Sequence, residues 1–265
     1  MKRSSGVRLC ATAAVSALSL ALITGCSDGG SKDSGNAKDT NAAKPAAKAL
    51  SAAELKQLII AKGEVSGYQV QAVTGGTPGR SEVKAADSRC DPLLHVLTGQ
   101  APVDAPAETN RMAMEEKKKD PTDDATSLDD MADGKLEDAI NKSMDRDTTV
   151  VVLSSYDGDG AEQALKSVSD AVQACAGGFK GSQGGTKATF TKVAEEKSSG
   201  TGDASVAFAA TSDMEDGDTA PVHAEVARYG NTLVSYTTIN IGAMMGKKPY
   251  AVSAPVVKAQ AAKLK

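Results

Sequence analysis

Val222-His223-Ala224-Glu225-Val226-Ala227-Arg228-Tyr229-Gly230-Asn231-Thr232-Leu233-Val234-Ser235-Tyr236-Thr237-Thr238-Ile239-Asn240-Ile241 decides the fold. Two runs rich in β-branched and aromatic residues flank Gly230-Asn231, a pair suited to the positive φ angles of a tight hairpin turn. Such a turn fixes register, so Tyr229 should face Thr232, Glu225 should face Tyr236, and His223 should face Thr238. Val222, Ala224, Val226, Leu233 and Ile239 then share one face and read as core. His223, Glu225, Tyr229, Tyr236 and Thr238 share the other.

Strand signals continue on the N-terminal side of this hairpin. Residues 186–193 and 204–211 read as strands, and residues 212–219 as an acidic turn region. Thr148 to Tyr156 has a continuous apolar centre, as in a strand buried on both faces. From Ala161 to Ala176, Ala161, Ala164, Leu165, Val168, Val172 and Cys175 form one helical stripe, stopped by Gly177-Gly178. Gly181-Ser182-Gln183-Gly184-Gly185 lacks the Lys-Ser/Thr ending of a phosphate loop and reads as a plain loop. Ser51 and Glu54 form a capping-box pattern before a helix ending near Gly63, and residues 68–73 alternate as a strand. Asp91-Pro92 opens a short helix carrying Leu93, Leu94 and Leu97; residues 111–114 suggest a strand and 255–264 a closing helix. The expected fold class is α+β: an antiparallel sheet packed with helices, in one domain.

The N-terminus reads differently. Lys2, Arg3 and Arg8 precede a small-residue-rich apolar run from Leu9 to Ile23, followed by Leu22-Ile23-Thr24-Gly25-Cys26. The run is shorter than the roughly 20 residues a spanning helix needs. It resembles the signal peptide and lipobox of a bacterial lipoprotein. That resemblance implies diacylglycerol and further acyl (palmitate-type) chains on Cys26, cleavage before it, and a protein held on the outer face of the cell membrane. Residues 27–50 are small and polar up to Leu50, the composition of a flexible tether. The expected organisation is therefore 1–25 leader, 26–50 disordered tether and 51–265 folded domain.

Without residues 1–25, which hold three of the 30 basic residues and no acidic one, 27 Lys and Arg face 34 Asp and Glu. That balance argues against the basic surface that phosphate binding needs, so no nucleic acid is expected as a partner. Cys10 leaves with the leader and Cys26 is the anchor, so Cys90 and Cys175 remain to form one disulfide outside the cytoplasm. No further metal ligands cluster in sequence near either cysteine, and no metal or cofactor is expected.

Catalytic patterns are missing. The chain has two histidines, His95 and His223, no His-Glu-x-x-His helix and no Gly-x-Ser-x-Gly elbow. Ser81-Glu82-Val83-Lys84 matches Ser-x-x-Lys, but the companion motifs of penicillin-binding enzymes are absent. His95 lies in an apolar helix and reads as a buried, satisfied histidine. The acidic stretch 120–138 lacks the ligand order of a calcium loop and reads as a solvated excursion. Asp157-Gly158-Asp159-Gly160 reads as a turn and helix cap. The candidate ligand-binding residues are His223, Glu225, Tyr229 and Tyr236 on the second hairpin face. The same alternation also fits side chains that are solvated or lie under a helix.

A strand, a helix ending in Cys175, Gly202-Asp203-Ala204 feeding a strand, the Gly230-Asn231 hairpin and a closing helix follow in a familiar order. Over residues 51–265 this order resembles the extracellular sensor domain of actinobacterial serine/threonine kinases of the PknH type, and lipoproteins carrying that module. The resemblance implies an antiparallel sheet with helices and a ligand cleft, and transfers no functional residue. The expected function is a non-enzymatic, cell-surface ligand-binding or sensing lipoprotein. Its partners would be the membrane, through the lipid, and a small ligand or an envelope protein. Two alternatives stand beside it: a structural or protein-interaction lipoprotein of the envelope, and a hydrolase of unrecognised type.

Overall fold

Thr219–Tyr229 (β8) and Thr232–Ile239 (β9) pair as the sequence requires, with Tyr229 opposite Thr232, Glu225 opposite Tyr236 and His223 opposite Thr238. Gly230 in the turn has φ +59°, where a Cβ would be strained. The computed structural model describes residues 47–73, 75, 77–116, 144–214 and 218–265. Cys26, the leader, the tether up to residue 46 and the acidic stretch 120–138 lie outside them.

Around the hairpin lies a nine-stranded, wholly antiparallel sheet, in the order β1-β3-β4-β9-β8-β7-β6-β5-β2. Its other strands are β1 (Tyr68–Gln71), β2 (Val83–Ala85), β3 (Ala107–Glu115), β4 (Thr148–Ser155), β5 (Phe179–Gln183), β6 (Thr186–Glu196) and β7 (Ala204–Asp213). The helices are α1 (Ala52–Leu58), α2 (Asp91–Leu97), α3 (Gly160–Ala174), α4 (Ile241–Met245) and α5 (Ala254–Lys263). The α+β reading holds.

The sheet has a core on each face. On the first, Val193, Phe208, Ala224, Val226 and Leu233 pack against Leu93, Leu94 and Val96 of α2 and Ala164, Leu165, Val168 and Val172 of α3. The Cys90–Cys175 disulfide joins the entrance of α2 to the end of α3 across 85 positions, with the Cα atoms 6.1 Å apart. On the second face, Ala113, Val151, Leu153, Ala227, Val234 and Tyr236 pack against Leu55 of α1, Ile59 and Ile60 just after it, and Val256 and Val257 of α5. Strands β4, β8 and β9 are thus covered on both sides. The second hairpin face is largely a core face.

Local chemistry sets several boundaries. The Ser51–Glu54 capping box forms, but α1 ends at Leu58 instead of near Gly63 because Ile59 turns to extended backbone (ψ 149°). Pro92 occupies the first turn of α2, where its missing N–H costs nothing. The Gly-rich segment expected to be a loop is instead most of a hairpin. Gly181 pairs with Ala188 in the β5–β6 ladder, and Gly184-Gly185 make the turn with φ +55° and +85°. A Cβ on Gly181 would stand 2.7 Å from Leu94 Cδ2, so the buried Leu94 side chain would have to move for any larger residue.

Residues 47–50 are bonded to the domain. The Ala47 and Lys48 carbonyls accept from the Gly158 N–H at 2.7 Å and Asn231 Nδ2 at 2.6 Å. The Ala49 and Leu50 N–H groups donate to Asp157 Oδ1 at 2.8 Å and Ser155 Oγ at 3.0 Å.

Candidate functional site

The register of β7, β8 and β9 lays out the second face as rows. Ala207, Glu225 and Tyr236 form one row, and Ala209, His223 and Thr238 the next. Toward the Gly230 turn, Ser205, Ala227 and Val234 follow, then Tyr229 beside Thr232. Tyr236 is 0% exposed, Glu225 3% and His223 7%, while Tyr229 is half-buried. The row of Ser205, Ala227 and Val234 separates Glu225 from Tyr229.

The lid over Glu225 is the segment between β6 and β7. The Ser199 N–H reaches both Glu225 oxygens at 3.1 and 3.2 Å, and Ser199 Oγ donates to Oε1 at 2.5 Å. Two glycines with positive φ, Gly200 at +71° and Gly202 at +76°, turn this segment back over the sheet. Asp203 then fastens it to the hairpin. Its N–H donates to the Arg228 carbonyl at 2.7 Å, and its Oδ2 accepts from the Gly230 N–H at 2.7 Å.

His223 makes a separate pair. Its Nδ1–H donates to the Glu196 carboxylate at 2.9 Å, which leaves Nε2 as the lone-pair nitrogen whenever the ring is neutral. The Tyr250 ring meets His223 edge-on, centroids 4.5 Å apart, and the Tyr250 hydroxyl donates to the Pro221 carbonyl. Burial pushes the Tyr250 phenol well above its ordinary range.

Tyr236 and Tyr229 stand apart from these pairs. Both hydroxyls are buried and neither has a hydrogen-bond partner. Burial first, and then the neighbouring Tyr229 and Glu225, raises the Tyr236 phenol far above its usual range, so it stays protonated. The Ser154 and Ser235 hydroxyls and the Gln100 Oε1 are also buried without partners. Both serines belong to rows that alternate with those of Glu225.

The structure thus brings His223, Glu225, Tyr229 and Tyr236 onto one face, but their bonds run to Glu196 and Ser199. Neither partner carries a sequence signal: Glu196 ends a strand and Ser199 sits in a Ser-Gly-rich loop. Glu225 and Ser199 form one pair, and His223 and Glu196 another. No hydrogen bond joins Ser199 to His223, so the hydroxyl–base contact of an activated nucleophile is not formed. Among the described residues no three of His, Cys, Asp or Glu gather as a metal set. The other histidine is structural. His95 Nδ1 accepts from the Arg80 guanidinium at 3.0 Å, so Nε2–H donates to the Val83 carbonyl at 3.2 Å. Ser81 and Lys84 of the Ser-x-x-Lys match are exposed and form no site.

These features define an α+β domain with a group of buried polar side chains on one face of a doubly covered sheet. No protein-family profile matches the chain, and no curated protein does. Among solved structures it is similar to the crystal structure of the extracellular domain of PknH from Mycobacterium tuberculosis. The two share 13% identity over 82% of this chain and 95% of that one, with a TM-score of 0.46.

Proposed function

We propose that the chain is a non-enzymatic module that binds a small ligand on the β8–β9 face, outside the cytoplasm and tethered through lipid on Cys26. The observation that carries this reading is the buried Glu225 carboxylate on the same face as two buried phenol hydroxyls with no partner. Buried polar groups are nearly always paired, so unpartnered ones on one face favour a missing partner. The Cys90–Cys175 disulfide supports an oxidising compartment. The anchor rests on the sequence pattern before Cys26 alone.

Mass spectrometry of metabolites and lipids co-purifying with the soluble form lacking residues 1–26 tests the binding. A bound species that is lost on Tyr236→Ala supports it, and a ligand retained unchanged by that variant counts against it. Incorporation of labelled palmitate, abolished by Cys26→Ser, tests the anchor.

A protein-interaction lipoprotein is the second reading. Met214, Ile241 and Met245 are about half exposed beyond the far ends of β7 and β9, and large apolar side chains in one region mark contact surfaces.

A further inference from the structure

Resting on the ligand-binding reading above, we infer that the niche between Glu225, Tyr229 and Tyr236 takes a primary ammonium group, so that the ligand is a small primary amine.

Charge comes first. Glu225 is 3% exposed, and its bonded partners are the Ser199 N–H and hydroxyl, both neutral. Among the described residues no cation pairs with it. The nearest basic groups on its own strand are engaged elsewhere: His223 with Glu196 at 2.9 Å, and Arg228 with Asp203 at 3.3 Å. A buried carboxylate without a counter-charge is costly, and a positive ligand removes that cost.

Hydrogen bonding comes next. An ammonium carries three N–H donors and no acceptor. The niche offers the Glu225 carboxylate and the two unpartnered phenol oxygens of Tyr229 and Tyr236. A hydroxyl ligand or a water would meet the hydrogen bonds but leave the charge. A carboxylate or phosphate would be repelled by Glu225. A quaternary ammonium has no N–H to give.

Side-chain size and exposure come last. The small Ser205 and Ala227 occupy the row between Glu225 and Tyr229, and Tyr229 is the least buried of the three residues.

The test titrates the full-length chain, with ring-labelled tyrosine, against n-butylamine, n-butanol, butyrate and tetramethylammonium. NMR follows the Tyr229 and Tyr236 ring signals. Saturable shifts with butylamine alone are expected. Glu225→Gln, which keeps the shape, should weaken them roughly thirtyfold. Tyr236→Phe should weaken them by a smaller factor, read at Tyr229. Equal affinity for butanol overturns the amine and leaves a binding niche standing. Butylamine shifts unaltered by Glu225→Gln also overturn it. No shift with any probe removes the niche as a ligand site, whatever else co-purifies.

Discussion

Gln260 closes the end of α1 for Ile60. Its Oε1 accepts from the Ile60 N–H at 2.9 Å, while its Nε2 donates to the Leu58 carbonyl at 2.9 Å. The side chain is fully buried, so one amide from α5 satisfies the Leu58 carbonyl, which the last turn of a helix leaves open, and the Ile60 N–H just past the helix. Gln260→Ala should lower stability by about 2–4 kcal/mol, through unpaired backbone and a cavity. Urea unfolding measures it; a loss of a few tenths would show that water replaces the amide.

Tyr236 gives a prediction of opposite sign. Its hydroxyl is buried with no partner, so Tyr236→Phe should raise the stability of the ligand-free protein by about 1 kcal/mol. A lower urea midpoint for the variant would mean that an internal water already bonds the phenol.

The disulfide should matter more. Replacing Cys90 and Cys175 with serine opens a closure of 85 positions, which the chain-entropy account values at about 4–5 kcal/mol. Chemical denaturation of the double variant and of the wild type checks this; an unchanged midpoint would place the bond's role elsewhere.

His95 sets a pH dependence. Burial, and then the Arg80 guanidinium, holds its imidazole below the ordinary value. The unfolded state therefore takes up the proton first as pH falls. Stability from neutral His95 is full above about pH 6.5 and declines below it, down to the lowered folded value. His95→Asn should flatten this part of the stability profile below about pH 6.5. Parallel slopes for variant and wild type would exclude His95 as the source.

Gly202 holds the lid. At φ +76°, a Cβ there would collide with the Arg228 carbonyl. Gly202→Ala should cost about 2 kcal/mol or more and release the Ser199 N–H from Glu225. Hydrogen exchange at Ser199 reports it directly: protection retained in the variant would show that the loop adapts.

The hairpin register was legible in the sequence because a two-residue turn leaves one register, but its second strand, read through Ile241, ends at Ile239, since Asn240 caps the short helix that Ile241 opens. The central strand at 148–156 and the helix ending at Cys175 were equally readable from apolar pattern. Strands β2 and β5 were not. They pair near one edge of the sheet and carry Gly and Ser where no apolar alternation is needed. Gly181 answers to Leu94, a contact invisible along the chain. The second hairpin face misleads for a related reason. His223, Glu225 and Tyr236 alternate like a solvated edge, yet the 197–202 segment, Tyr250 and α5 bury them. Glu196 and Ser199 acquire meaning only once β6, β7 and β8 lie side by side.

The bonds from residues 47–50 to Asn231 and Gly158 give the domain a near pole and a far one. The chain enters where β9 begins, and β9 then runs eight residues, about 25 Å, to its other end. Any force or attachment acting upstream of Ala47 is therefore felt first at Gly158 and next at the Gly230-Asn231 turn. Ile241, Met245 and Met214 are carried at the opposite pole, held at arm's length from that point of entry.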